Sequence, residues 1–225
     1  MKQTEFADRI FAFLNEQGIS FSKYQAELCS EHILLMQEWN RRLNLTRITD
    51  VQEILVKHLS DSLIPTRWLP CRGSSLDIGT GAGFPGIPIK IAQPQLNVVL
   101  LEAQRKKVSF LKVVLAKLQL SGIYAVQARW EELVKSGDSG ILQRHDLVTI
   151  RALRLNPDQL AFLAQSTLRR EGTLAWWAGP SADNEAMLPY NTSLKRFGIE
   201  FEGCIPYHLS TKLRPGKICL WKKTS

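Results

Sequence analysis

The sequence predicts an α/β fold: a doubly wound, mostly parallel sheet that ends in an antiparallel hairpin and is preceded by a helical extension. Three observations predict it. From residue 74 onward, short apolar runs alternate with helical segments, as βαβ units do. A glycine-rich stretch, Gly79-Thr80-Gly81-Ala82-Gly83, follows the first of those runs, where a nucleotide-binding turn belongs. The first 70 residues instead carry apolar side chains at helical spacing.

Taken in order, a first helix is expected over Glu5 to Asn15. Ser22-Lys23-Tyr24-Gln25 is a capping box opening a second, whose apolar face holds Tyr24, Leu28, Leu35, Met36, Trp39 and Leu43. Asp50-Val51-Gln52-Glu53 is another capping box. It opens a segment with Ile54, Leu55, His58, Leu59 and Ser62 along one side, and His58 and Asp61 are placed to pair with each other. Pro65 and Pro70 punctuate the chain, so residues 1–70 are expected as a helical subdomain and 71–225 as the main domain. Strands are expected at Ser75–Ile78, Val98–Glu102, Ile123–Gln127, Asp146–Ile150 and Thr173–Trp177, with Gln104–Gln119 the clearest helix between them. Ile199–Ile205 and Lys217–Trp221 read as strands without an obvious intervening helix, hence the hairpin. Trp176 and Trp177 alternate across their strand, which sends one ring into the core.

The chain has 225 residues, 44% hydrophobic and 22% charged, which excludes a disordered or low-complexity polymer. The four cysteines (Cys29, Cys71, Cys204, Cys219) and four histidines lack metal-ligand spacing, so no metal is expected. No apolar run approaches a membrane span, and Met1 to Ile10 carries Glu5 and Asp8. The expectation is a cytoplasmic protein, a monomer, without a membrane partner. The net charge of +8 is uneven: residues 1–72 hold 9 basic and 9 acidic side chains, residues 73–225 hold 20 and 12. Arg105, Lys106, Lys107, Lys112 and Lys117 form one basic cluster, and Lys212, Arg214, Lys217, Lys222 and Lys223 another. Confined positive charge points to a polyanion, nucleic acid before membrane.

Glycines permit a tight turn and the close approach of a ligand to the backbone. Glu102 ends the next strand, about 20 residues on, where an acid can accept ribose hydroxyls. Gly81 to Gly86 match G-x-G-x-x-G literally, which keeps a nicotinamide-dependent oxidoreductase open as an alternative. The pattern apolar-Asp-apolar-Gly-x-Gly-x-Gly, however, resembles motif I of the class I (Rossmann-like) S-adenosylmethionine methyltransferases, and Asp77 then suits the ammonium end of that cofactor.

Asp77 through Pro88, DIGTGAGFPGIP, resembles the glucose-inhibited division protein B family of 16S rRNA guanine-N7 methyltransferases. Asn44-Leu45-Thr46, His58 to Leu63 (H-x-x-DSL), Lys106-Lys107 with Phe110-Leu111, Arg129-Trp130-Glu131-Glu132 and Arg151-Ala152 agree in order. The resemblance implies S-adenosylmethionine as cofactor and the decoding-region loop of 16S rRNA in the small subunit as partner. It places cofactor contacts at Gly79, Gly81, Gly83, Phe84, Glu102, Trp130, Glu131 and Arg151. Lys106, Lys107 and Arg129 become RNA-binding candidates, the two lysines expected to serve RNA and not the cofactor. Ile150 and Trp176-Trp177-Ala178-Gly179 depart from the family pattern, next to the substrate pocket by expectation. No catalytic base is assigned, since guanine N7 already offers a lone pair; Arg151 is a candidate for positioning. A non-catalytic rRNA-binding assembly factor is the second alternative.

Overall fold

The computed structural model describes residues 3–136, 145–179, 182–209 and 215–224. Helix α1 (Gln3–Glu16) lies against α2 (Lys23–Leu43). The predicted capping box forms in full: the Ser22 hydroxyl accepts from the Gln25 N–H, and the Gln25 side chain accepts from the Ser22 N–H. The helix stops at Asn44, which turns left-handed at φ 50°. Its buried face is wider than expected: Leu28, Leu35, Trp39 and Leu43 pack half-buried against the core, and a neighbouring stripe is buried more deeply. Ala26, Cys29, Ile33 and Met36 are buried and Tyr24 is 65% exposed, because the stripe that meets the sheet layer also carries His32, satisfied at Ala82.

The next helical stretch changes pitch three times: α3 (Val51–Ile54), a π-helical turn (Leu55–Ser60), α4 (Asp61–Leu63) and a 3-10 turn (Ile64–Trp68). Only half of its predicted box forms. Asp50 accepts from the Glu53 N–H, but the Glu53 carboxylate turns to Lys57 at 2.6 Å.

The sheet comprises β1 (Gly73–Ile78), β2 (Leu96–Glu102), β3 (Ile123–Gln127), β4 (His145–Arg151), β5 (Leu168–Ala178), β6 (Ile199–Tyr207) and β7 (Gly216–Lys223). Their order is β3-β2-β1-β4-β5-β7-β6. The first five run parallel, and β7 pairs antiparallel with both β5 and β6. Helices α5 (Gly86–Ala92), α6 (Arg105–Leu118), α7 (Trp130–Ser136), α8 (Pro157–Thr167) and α9 (Leu188–Lys195) cover its faces. One core joins α1, α2, the pitch-changing stretch, α5 and α6 to one face. The other joins α7, α8 and α9 to the opposite face. The N-terminal helices therefore share a core with the sheet. Strand order reverses between β1 and β4, so the loops after their carboxyl ends flank the switch point where open α/β sheets bind ligands.

Two features escape linear spacing. Cys204 and Cys219 face each other across β6 and β7 as a disulfide. The three described lysines of the C-terminal basic cluster all have partners within the fold. Lys223 is buried and donates to the carbonyls of Gln165 and Leu168, Lys217 donates to that of Ala182, and Lys222 pairs with Glu171. Lys212 and Arg214 lie outside the described residues. Among the described residues, no helix is long and apolar enough to cross a membrane, and no cluster of side chains could hold a metal.

Candidate active site

The glycine turn is held from below by Asp77. Its Oδ2 accepts from the Gly86 N–H at 3.0 Å, and its Oδ1 from the Thr149 hydroxyl at 2.7 Å. Burial pushes this carboxyl above its ordinary pKa, while those donors and Arg151 oppose the shift. Asp77 is fully buried, and these two bonds make it a brace beneath the turn. Two glycines are required by contact, and Gly83 by its φ of 90° as well. A Cβ on Gly83 would lie 2.9 Å from Ile87 Cγ1, and one on Gly86 2.7 Å from Asp77 Oδ2. Gly83 is thus held by packing, whereas a Cβ on Gly79 or Gly81 would make only ordinary contacts, at 4.0 Å with Leu153 and 3.9 Å with the Gly79 carbonyl.

Above the turn lies a cleft of two adjoining lobes, about 250 Å³ and 310 Å³, which share Gly79, Lys107 and Leu153. Glu102, Trp130 and Glu131 line the first. The Glu102 carboxylate accepts from the Gly81 N–H at 3.0 Å and the Gln104 N–H at 2.8 Å. A carboxylate has about four acceptor positions, so two remain for ligand hydroxyls. Thr46, His58, Phe84 and Arg151 line the second lobe. The two lysines part company, because successive helix residues point about 100° apart: Lys106 is exposed, Lys107 lines both lobes. Arg129 sits at the rim of the first lobe, mostly exposed. The departures do not line the cleft. Ile150 and Ala178 pack in the far-side core, and Trp176 leans on Tyr190 and Trp221.

Phe84 is clamped between two imidazoles. His32 stacks on one side at 4.7 Å between centroids, His58 on the other at 4.8 Å. Burial pushes the pKa of His32 down to about 4. Burial and the Arg151 charge push that of His58 down to about 3. Both rings are neutral at pH 7. His58 does not pair with Asp61, as its spacing suggested: its Nε2 meets the Thr46 hydroxyl at 3.0 Å. The intervening π turn redirects Asp61 across the sheet ends. Asp61 holds Arg151 at 2.9 Å and accepts from the Tyr207 hydroxyl at 2.6 Å, while its backbone carbonyl accepts from the Trp177 indole. Arg151 also donates to the Lys57 carbonyl. Burial raises the Asp61 pKa, with Arg151 and Tyr207 opposing. Ala152, next along, is left-handed at φ 56°, a costly posture for a residue with a Cβ. Sequence reasoning missed Thr46, His32 and Tyr207 as site-building residues; Thr46 alone had a signal, in the Asn44-Leu45-Thr46 match.

The strand order and the glycine turn bracketed by Asp77 and Glu102 define a class I methyltransferase fold. A solved methyltransferase from Pyrococcus furiosus shares it at TM-score 0.58 and 12% identity, over 87% of this chain and 98% of that one. The model of the family described as rRNA small subunit methyltransferase G matches residues 25–196, and the chain belongs to that family. It is 50% identical over 183 residues to ribosomal RNA small subunit methyltransferase G 1 of Syntrophobacter fumaroxidans, covering 81% of this chain and 83% of the relative. It is 36% identical to ribosomal RNA small subunit methyltransferase G of Clostridium beijerinckii, over 80% and 75% respectively.

Proposed function

We propose that this chain transfers a methyl group from S-adenosylmethionine to N7 of a guanine in 16S rRNA, acting as a cytoplasmic monomer on the small ribosomal subunit. The observation that carries the reading is the first lobe, where Glu102 keeps free acceptor positions beside Gly79, Trp130 and Glu131. Glu102 would take the ribose hydroxyls, Trp130 and Glu131 the adenine, and the backbone of exposed Gly79 and half-buried Gly81 the amino-acid end. S-adenosylmethionine supplies a methyl group activated by the positive charge of its sulfonium.

The protein's task is alignment, since positioning alone can supply about 7–11 kcal/mol of a barrier. The second lobe suits that task. Phe84, stacked between neutral rings, is a rigid wall. Methylation at N7 leaves the guanine cationic, and His58, being neutral, adds no repulsion to it. Arg151 has its charge held by Asp61. A nicotinamide dinucleotide fits poorly. Its pyrophosphate belongs at the N-terminus of the helix after the glycine turn, yet there the Gly86 N–H is already bonded to the Asp77 carboxylate.

The test is incubation with labelled S-adenosylmethionine and small subunits lacking the modification, followed by nucleoside analysis. The expected product is 7-methylguanosine at one position in 16S rRNA. Subunit binding without methyl transfer would favour the assembly-factor alternative.

A further inference from the structure

The first 72 residues carry no net charge, yet folding brings three of their cations to the edge of the cleft. Arg41 and Arg42 end α2, and Arg47 follows in the next loop. Helices α2 and α6 run antiparallel, since Glu31 meets Lys117 and Trp39 meets Phe110. The last turn of α2 therefore lies beside the first turn of α6, which carries Arg105, Lys106 and Lys107. Arg41, Arg42 and Arg47 are exposed, and none forms an ion pair among the described residues.

Between Arg41 and Arg47 runs a furrow of about 980 Å³, larger than either lobe of the cleft. Half-buried Ile48 gives it an apolar lining above the fully buried Met36, Asn40 and Asn44 are among its polar residues, and no acidic side chain lines it. Thr46 lines both the furrow and the second lobe, beside His58, Phe84 and Arg151. That doorway is firmly placed. The Asn40 amide accepts from the Thr46 N–H at 2.8 Å and donates to its carbonyl at 3.0 Å, and the Thr46 hydroxyl meets His58.

We propose that this furrow seats the RNA strand beside the target guanosine, with Arg41 and Arg47 taking phosphate oxygens and the target base passing Thr46 into the cleft. The proposal rests on the methyl-transfer reading above. The guanidinium fork matches phosphate geometry, and the apolar lining offers a surface to a ribose or splayed base, the form in which single-stranded loops are read. The remaining free cations of α6 continue the same rim, whereas Lys217, Lys222 and Lys223 of the C-terminal cluster have partners within the fold.

The test compares the full-length chain, an Arg41→Gln/Arg47→Gln variant and a Lys23→Gln/Lys195→Gln control that removes equal charge from exposed sites elsewhere. Unmethylated small subunits are the probe, in methyl transfer and in filter retention across a salt series. The arginine variant is expected to raise KM for subunits about tenfold or more and to flatten the salt slope by about 1.5–2, as loss of two phosphate contacts does. Its kcat at saturating subunits and its S-adenosylmethionine affinity should stay within about twofold of the unaltered chain, and the control should match that chain throughout. An arginine variant indistinguishable from the control, or weakened binding with an unchanged salt slope, overturns the proposal. If the unaltered chain transfers no methyl group, the functional reading fails, and retention of subunits still decides the role of the furrow.

Discussion

Acidification should weaken this protein through the two rings that clamp Phe84. In the unfolded chain a histidine titrates near 6.5; in the fold His32 and His58 are held down to about 4 and 3. Between those limits the unfolded chain binds more protons than the folded one, so stability falls as pH falls. It is fully present above about 6.5 and is lost progressively towards 4 for His32 and 3 for His58. At pH 5 the deficit is about 1.5 pKa units for each ring, or about 2 kcal/mol each at 1.36 kcal/mol per unit. Together they remove about 4 kcal/mol, a large part of a typical stability of about 5–15 kcal/mol. The measurement is the urea midpoint, followed by circular dichroism at pH 7, 6 and 5, for the unaltered chain and for His58→Phe. The variant keeps a ring against Phe84 but cannot titrate, so it should lose about half of the acid sensitivity. Equal pH slopes in the two proteins, or ring protons of His58 titrating near 6.5 by NMR, would refute the reasoning. Because Phe84 lines the cleft, S-adenosylmethionine affinity should decline over the same pH range.

Three further perturbations separate bracing from binding. Asp61→Ala strands the largely buried Arg151 and Tyr207, and should cost about 3 kcal/mol, towards the lower end for a broken buried pair; chemical denaturation reads it, and a loss under about 1 kcal/mol would show that the network is slack. Gly86→Ala drives a Cβ onto Asp77 and should destabilise the fold by several times the roughly 1–2 kcal/mol of left-handed strain expected for Gly81→Ala. Gly81→Ala, whose Cβ would meet nothing nearer than the Gly79 carbonyl at 3.9 Å, should instead stay folded and lose cofactor affinity in calorimetry. Lys107→Gln should weaken S-adenosylmethionine binding measurably while Lys106→Gln leaves it intact, and the opposite order would misplace the cleft.

Much of the fold was legible because it depends on local chemistry. The Ser22 box, the glycine turn and the strand–helix alternation are each written within a few consecutive residues, and the structure realises them within a few positions. The face of α2 was read too narrowly, because helical spacing marks one stripe and not how many sides are covered. Only the packing partners set that width, and here they added the stripe bearing His32. The pairing of His58 with Asp61 was misjudged for a related reason. A spacing of three means contact on an α-helix, but the π turn breaks that relation, and Arg151, which claims Asp61, is 90 residues away.

The sequence by itself determined the sheet class, the position of the glycine turn and the carboxylate at the end of β2, since each is written in residue types a few positions apart. Only tertiary structure decided what each charge does. Asp77 became a brace, Asp61 a hub, Lys223 a buried strut and Lys107 a cleft residue, while Arg41 and Arg47 of a formally neutral segment came to rim the site. The physical reason is range. Turn and capping preferences act over a few residues, whereas the fate of a charge depends on burial and on partners that the chain brings together from far apart.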